Sequence, residues 1–366
     1  MLKIAMIGVG AISGIYLENI TKTFKEIELI GVCDLIRERA ENAQKKYNVP
    51  KLYETMWDAF ADPEVDIILN LTRPNEHYEV TKGAILAGKN VYSEKPLGAD
   101  FEEGLELVRL AQEKGVRLGG APDTFMGAGI QTARKAIDDG LIGEPVGGLA
   151  VMTCHGHETW HPDPEFYYKR GGGPMMDMGP YYVTALVNLM GGVTEVTGVV
   201  KKSFEQRMIT SQPHNGEIID VDVPTYVTGT LTFENGAVAT IFTTFDVYGG
   251  DGARIDIYGT EGTLSVPDPN TFGGKVRLLK PGADWVEIPI DGFEYPENSR
   301  ALGLADMAKA IETGREARCD YTQTEHVLEI MTGIEKSSAE KKTLKLTTKY
   351  TRKAPMVKPE VKGILD

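Results

Sequence analysis

Cysteine, positive charge and long apolar runs are all scarce in this 366-residue chain. Cys33, Cys154 and Cys319 stand singly and are odd in number, which argues against both a disulfide framework and a cysteine-based metal centre. A reducing cytoplasm suits them. Lys and Arg number 39 against 53 Asp and Glu, a formal net charge of −14. No basic cluster offsets that field, which argues against nucleic acid and anionic membranes as partners. No run approaches the ~20 apolar residues of a membrane span. The opening MLKIAMIGVGAISG is apolar but meets glycines at once and lacks a basic leader and a small-residue cleavage site, so it reads as a buried strand. Internal repeats and low-complexity tracts are missing as well.

What is present is a change of pattern part-way along. Through the first 120 or so residues, short apolar runs (LKIAMIGVG, IELIGVCD, VDIILNLT, KNVYSE, VRLGGAP) alternate with longer amphipathic stretches. That pattern predicts an α/β domain with a parallel, doubly wound sheet. Beyond about Val146, strands follow one another directly. In TYVTGTLTFENGAVATIFTTFDV the Glu234–Gly236 segment supplies a hairpin turn, and ARIDIYGTEGTLSVP repeats the pattern with a turn at Thr260–Gly262. Helical patterns near 300–313 and 322–339 precede a basic tail that reads as a surface strand or arm. Two domains are expected at this length, residues 1–122 and 123–366. The second is α+β, a mostly antiparallel open-faced sheet with helices on one side. Its other face, rich in Thr and aromatics, needs a cover, and a second copy in a homodimer or homotetramer is the simplest one.

The first strand runs into GVGAIS. Gly8 permits a tight turn, Gly10 lets the backbone approach a pyrophosphate, Ala11 and Ile12 complete the turn, and Ser13 stands where a third glycine is usual. Asp34 ends the second strand, where a carboxylate accepts from both ribose hydroxyls and repels a 2′-phosphate. NAD is therefore favoured, while Arg37 and Arg39 nearby leave NADP open. Thr72, Arg73 and Pro74 end the third strand at the sheet edge where ligands bind, Asn75 is placed to cap the next helix, and His77 lies in its first turn. His77 reads equally as a cofactor contact or as a partly exposed helix residue. Glu94, Lys95 and Pro96 end the fourth strand. A lysine there suits acid/base work, since desolvation and neighbouring cations lower its pKa. Asp123, after the fifth strand, is a further candidate at the same edge.

GVGAIS with Asp34, then EKP, then GGG with DMGPY, resemble the Gfo/Idh/MocA family of glucose-fructose oxidoreductases and inositol dehydrogenases. The resemblance extends to IYGTEGTL and KSSAEKKTLKL, and so covers essentially the whole chain. It implies a Rossmann domain, a sheet domain for substrate and subunit contacts, and nicotinamide-dependent oxidation or reduction of a sugar-like carbinol or carbonyl. It also implies that Lys95 lies near the reacting oxygen, often with a cis bond before Pro96, and that Glu94 helps hold the nicotinamide ribose. Relatives in which NAD stays bound and is recycled, and non-catalytic NAD sensors on this scaffold, are the alternative readings.

The family carries Asp followed four residues later by His on one helix face. This chain keeps Asp177 but has Tyr181 in place of the histidine, and a tyrosine with pKa near ~10 is a poor base at neutral pH. Proton handling then falls to Lys95 unless another histidine fills in. His155, His157 and His161 lie close by in CHGHETWHPDPEFYYKR. A metal site on His-x-His is the weaker reading, because nicotinamide chemistry needs none. A substrate loop is the stronger one, with His157 and His161 as contacts and Trp160 facing substrate or cofactor. Asp177 itself either caps a helix starting near Met178 or lies in a helix that starts at Pro174 and is kinked near Pro180; both keep it at the helix mouth. The Gly171–Gly173 run is expected to hinge the loop before it.

Overall fold

The computed structural model describes residues 1–250 and 254–366, which fall into two compact units. The first comprises Met1–Gly127, Phe293–Glu325 and Met356–Asp366. A single cut near residue 122 therefore does not describe it. Two late segments return, and hydrogen bonds hold the second of them in place: Lys25 N donates to the Gly363 carbonyl (2.9 Å), Leu365 N to Glu26 Oε1 (2.6 Å) and Gly363 N to the Tyr295 hydroxyl (3.1 Å).

In this unit β1 (Leu2–Ile7), α1 (Ser13–Lys22), β2 (Ile27–Cys33), α2 (Arg37–Tyr47), β3 (Lys51–Leu52), α3 (Met56–Ala61), β4 (Ile67–Asn70), α4 (His77–Leu86), β5 (Asn90–Ser93), α5 (Phe101–Lys114) and β6 (Leu118–Gly120) alternate along the chain. All six strands are parallel, in the order β3-β2-β1-β4-β5-β6. The apolar runs become strands because a parallel sheet is covered on both faces, and β4 is buried along its whole length. Strand order reverses between β1 and β4, which opens a crevice at the carboxyl ends of β1, β2, β4 and β5. The two-residue β3 went unread in the sequence, since so short a pair carries no period.

The second unit, Ala128–Gly292 with His326–Pro355, is built on a nine-stranded sheet. Its elements are α6 (Ala128–Asp138), β7 (Pro145–Thr153), α7 (Gly173–Asp177), α8 (Gly179–Met190), β8 (Val193–Lys201), β9 (Gln206–Met208), β10 (Ile218–Asp220), β11 (Tyr226–Phe233), β12 (Val238–Thr244), β13 (Arg254–Gly259), β14 (Gly262–Val266), β15 (Val276–Leu279), β16 (Val286–Ile288) and β17 (Leu344–Lys345). The order β16-β15-β14-β13-β7-β12-β11-β8-β17 is antiparallel except where β12 meets β7. β9 and β10 form a separate hairpin. The predicted turns join β11 to β12 and β13 to β14; Ala253, where the sequence pattern begins the latter pair, lies outside the described residues.

One face of the sheet packs on helices, so closely that a Cβ on Gly198 would fall 2.5 Å from Ile334 in the helix Tyr321–Glu340. On the other face Val199, Thr228, Phe242 and Val151 stand side by side across β8, β11, β12 and β7, none of them buried. Among the described residues no helix is long and apolar enough to cross a membrane.

Candidate active site

The crevice of the first unit is built around two glycines. Gly8 has φ +94°, and a Cβ there would come within 2.7 Å of the Leu71 carbonyl, so only glycine lets the end of β1 turn against the β4 loop. A Cβ on Gly10 would meet nothing within 4 Å. That open backbone, followed by α1 whose start carries no side-chain cap, is a cradle that fits a dinucleotide pyrophosphate. Ser13 is 3% exposed and its hydroxyl donates to the Gly10 carbonyl (2.8 Å), which braces the turn where a third glycine is usual. Ala11 is exposed and Ile12 half-buried at the lip.

Asp34 clamps this turn to the end of β2, with Oδ2 accepting from Val9 N (2.6 Å) and Oδ1 from Ile36 N (2.7 Å). Arg37 opens α2 with its guanidinium bonded to Glu41 (2.8 Å) and Glu54. A 2′-phosphate would have to displace both carboxylates.

In the loop after β4, Thr72 donates through Oγ1 (2.6 Å) and N (3.2 Å) to Asn70 Oδ1, while Arg73 is exposed and Pro74 half-buried. Asn75 does not cap α4 as expected. Glu76 holds the N-cap position and its side chain caps no N–H of α4, its Oε2 accepting instead from Arg73 N (3.3 Å), while the Arg73 carbonyl accepts from both Glu76 N and His77 N and tightens the turn by one residue. His77 is 1% exposed, neither partly exposed nor open to a cofactor. Its Nδ1 lies 2.7 Å from the Pro96 carbonyl oxygen and its Nε2 3.0 Å from that of Thr72, so the ring ties together the two loops that end β4 and β5. Burial pushes its pKa down.

Glu94 is 7% exposed. Its Oε1 accepts from the Tyr16 hydroxyl of α1 (2.8 Å) and its Oε2 from Lys95 N (3.0 Å). Lys95 is half-buried beside it, and the Lys95–Pro96 bond is cis, as the resemblance implied. Asp123, expected to touch substrate, is instead sealed in at 1% exposure. The start of the helix Leu302–Thr313 closes over it, with Gly303 N donating to Oδ2 (3.0 Å). Burial pushes the Asp123 carboxyl up to about 6, assisted by Glu94 and opposed by Gly303 N and Arg300.

In the second unit, α7 has Pro174 in its first turn and ends at Asp177; Met178 separates it from α8, where Pro180 again lies in the first turn. Of the two readings of Asp177, the helix that starts near Pro174 is nearer to what is found, but it is interrupted at Met178 rather than kinked at Pro180, and Met178 rather than Asp177 stands at the cap of α8. Asp177 Oδ2 accepts from His157 Nε2 at 3.2 Å, with side-chain exposures of 16% and 12%. The His157 ring is walled by Tyr167 (4.2 Å between centroids), Phe245 (4.7 Å) and Trp160 (5.2 Å). Its Nδ1 is enclosed and bonds to no protein group. With Nε2–H donated to the carboxylate, Nδ1 is left as an acceptor and the ring's orientation is set by Asp177.

Tyr181 stands four residues after Asp177 at 7% exposure. His161 accepts from Asp163 N (3.0 Å) and packs edge-on to Trp160, Phe166 and Tyr167; burial pushes its pKa down. Trp160 is 60% exposed. His155 stacks on Tyr248 at 3.6 Å and takes no part in a His-x-His grouping. Among the described residues no three His, Cys, Asp or Glu side chains are grouped to hold a metal. The glycine run is required by close packing: a Cβ on Gly172 would fall 2.5 Å from the Phe166 carbonyl oxygen, and one on Gly173 2.8 Å from that of Pro224.

Residues 2–120 match the family profile described as "Oxidoreductase family, NAD-binding Rossmann fold", and residues 130–265 match "GFO/IDH/MocA C-terminal domain". The chain belongs to the Gfo/Idh/MocA family. It is an oxidoreductase that works with NAD. It is 25% identical over 317 residues to an uncharacterized oxidoreductase, YrbE, of Bacillus subtilis, covering 86% of this chain and 87% of that protein. It is 25% identical over 263 residues to the myo-inositol 2-dehydrogenase of Thermotoga maritima, covering 72% and 74%. A levoglucosan dehydrogenase solved with NADH and L-sorbose shares the fold, with TM-score 0.80, 19% identity and coverage of 95% of this chain and 99% of that one.

Proposed function

We propose that the enzyme transfers a hydride between NAD and a secondary or anomeric carbinol of a sugar, polyol or glycoside. The observation that carries this is the His157–Asp177 pair, a histidine oriented by a carboxylate within walls of Trp160, Tyr167 and Phe245. Aromatic faces beside convergent hydrogen-bonding groups suit a ligand with apolar CH faces and hydroxyl edges. The names of the myo-inositol and levoglucosan dehydrogenases support the same substrate class. When bound, NAD supplies the hydride acceptor, or as NADH the donor. Lys95 takes or returns the proton of the reacting hydroxyl. His157, oriented by Asp177, shares the work that the helix histidine does in the family pattern, and Tyr181 hydrogen-bonds an adjacent hydroxyl. Glu94, fixed by Tyr16, helps hold the nicotinamide ribose.

The test is a screen of sugars, polyols and glycosides for NAD and NADP reduction, repeated with Lys95→Ala. Loss of turnover by ~100- to 10,000-fold with unchanged NADH binding is expected for a positioned acid or base; undiminished turnover overturns the assignment. We further infer a homodimer or homotetramer through the open sheet face. The same reading places the enzyme in the cytoplasm, where its three free cysteines stay reduced.

A further inference from the structure

Arg207 is a buried cation that lies outside the motifs on which the family resemblance rests. It lies at the centre of β9, with its side chain 5% exposed, while its neighbours Gln206 and Met208 face outward. One end of its guanidinium donates to Glu158 Oε1 (2.9 Å) and to the His155 carbonyl (3.3 Å). The other end donates to Asp246 Oδ1 (2.6 Å) and to the Phe245 carbonyl (2.8 Å). Both carboxylates are 5% exposed or less, and each has a second donor: the Tyr168 hydroxyl for Glu158, and Thr225 Oγ1 (2.8 Å) for Asp246. A planar fork can hold this many acceptors at fixed angles; an ammonium cannot.

The residues so held bracket His157. Glu158 follows it directly and is fixed by its carboxylate, and its carbonyl accepts from Thr210 N (2.9 Å) and Ser211 N (3.1 Å) in the segment that joins β9 to β10. His155 lies two residues before it and is fixed by its carbonyl. Phe245, whose carbonyl takes another of the bonds, is one wall of the His157 ring. A loop histidine gets no orientation from a helix, so its backbone must be tied down on both sides if the imidazole is to stay on Asp177.

We propose that Arg207 is the positioning residue for His157, holding the loop from His155 to Glu158 so that the imidazole stays engaged with Asp177. This rests on the catalytic reading of His157 given above. The test uses the full-length enzyme with Arg207→Ala, and Arg207→Lys as the variant that keeps the charge should the alanine variant not fold. Three readouts are taken: turnover, NADH affinity by fluorescence, and the ring-nitrogen tautomer pattern of His157 from long-range proton–nitrogen NMR, assigned with His157→Ala.

Both variants are expected to lose at least tenfold in kcat, to bind NADH within twofold of the parent and to lose the single-tautomer pattern of His157. In a His157→Ala background, adding the Arg207 substitution should change kcat by less than twofold. A variant that keeps the tautomer pattern, or an Arg207 loss that persists in full without His157, overturns the proposal. If His157→Ala alone leaves turnover intact while Arg207→Lys still disturbs the tautomer pattern, the positioning stands and the catalytic reading of His157 falls.

Discussion

His157 and Asp177 are 20 residues apart on different elements, yet His157 Nε2 donates to Asp177 Oδ2 across 3.2 Å. In the family pattern the two groups share a helix; in the function proposed above a loop supplies the imidazole, and Tyr181 stands at the helix position. Acting as a unit, the pair should show non-additive losses. His157→Ala and Asp177→Ala should each lower kcat by ~100-fold or more, and the double variant should be little worse than either one. Steady-state kinetics on the three variants checks this; fully multiplicative losses would mean that the residues act independently.

Tyr16 makes the second link. It is 0% exposed and donates to a carboxylate that is itself buried, so Tyr16→Phe leaves Glu94 Oε1 without that donor. Hydrogen bonds to charged groups contribute ~1.5–3 kcal/mol. Stability should fall by about 2 kcal/mol in urea titrations and NADH should bind more weakly. A phenylalanine variant as stable as the parent would show that the bond contributes nothing.

Asp123 gives a pH signature. Burial raises its carboxyl to about 6 from the ordinary 3.8. Between those values the folded state carries a proton that the unfolded chain has released, so stability declines as pH rises through the window, and the penalty is complete above it. Asp123→Asn retains an acceptor for Gly303 N and cannot ionise. It should be more stable than the parent at pH 7 by on the order of 3 kcal/mol, with the gap closing toward pH 4. Urea midpoints at both pH values measure it; a gap independent of pH excludes this titration as the cause.

The open sheet face predicts an assembly phenotype. Val199 is 67% exposed and opens the row that continues through Thr228 and Phe242. Val199→Glu places a charge in the inferred interface and should shift sedimentation velocity profiles toward monomer, with the fold intact by circular dichroism. An unchanged sedimentation coefficient would move the interface elsewhere.

The five apolar runs, the glycine turn, the lysine at the β5 edge and the hairpins were legible because each depends on local periodicity or turn chemistry. Of the three loop histidines the sequence favours His157 and His161 as contacts but does not choose which one meets Asp177, since a loop carries no period to say which side chain points where. His77 and Asp123 were misplaced for a different reason. Polar residues at a strand edge suggest exposure, and only the later packing of α4 and of Leu302–Thr313 encloses them. Arg207 was invisible: in QRM the alternation runs opposite to hydrophobicity, with the cation inside and Met208 57% exposed. The carboxylates that reverse it come from distant parts of the sequence.

The return of residues 356–366 to the first unit also sets the order in which that unit can be finished. A ribosome delivers β1 to β6 early, but Glu26 and Lys25 wait for partners at Leu365 and Gly363, made more than two hundred residues later. In the meantime the whole sheet unit is synthesised and free to fold. The first unit is thus begun before the sheet unit and receives these bonds, at the amino-terminal edge of β2, only after the sheet unit has been made.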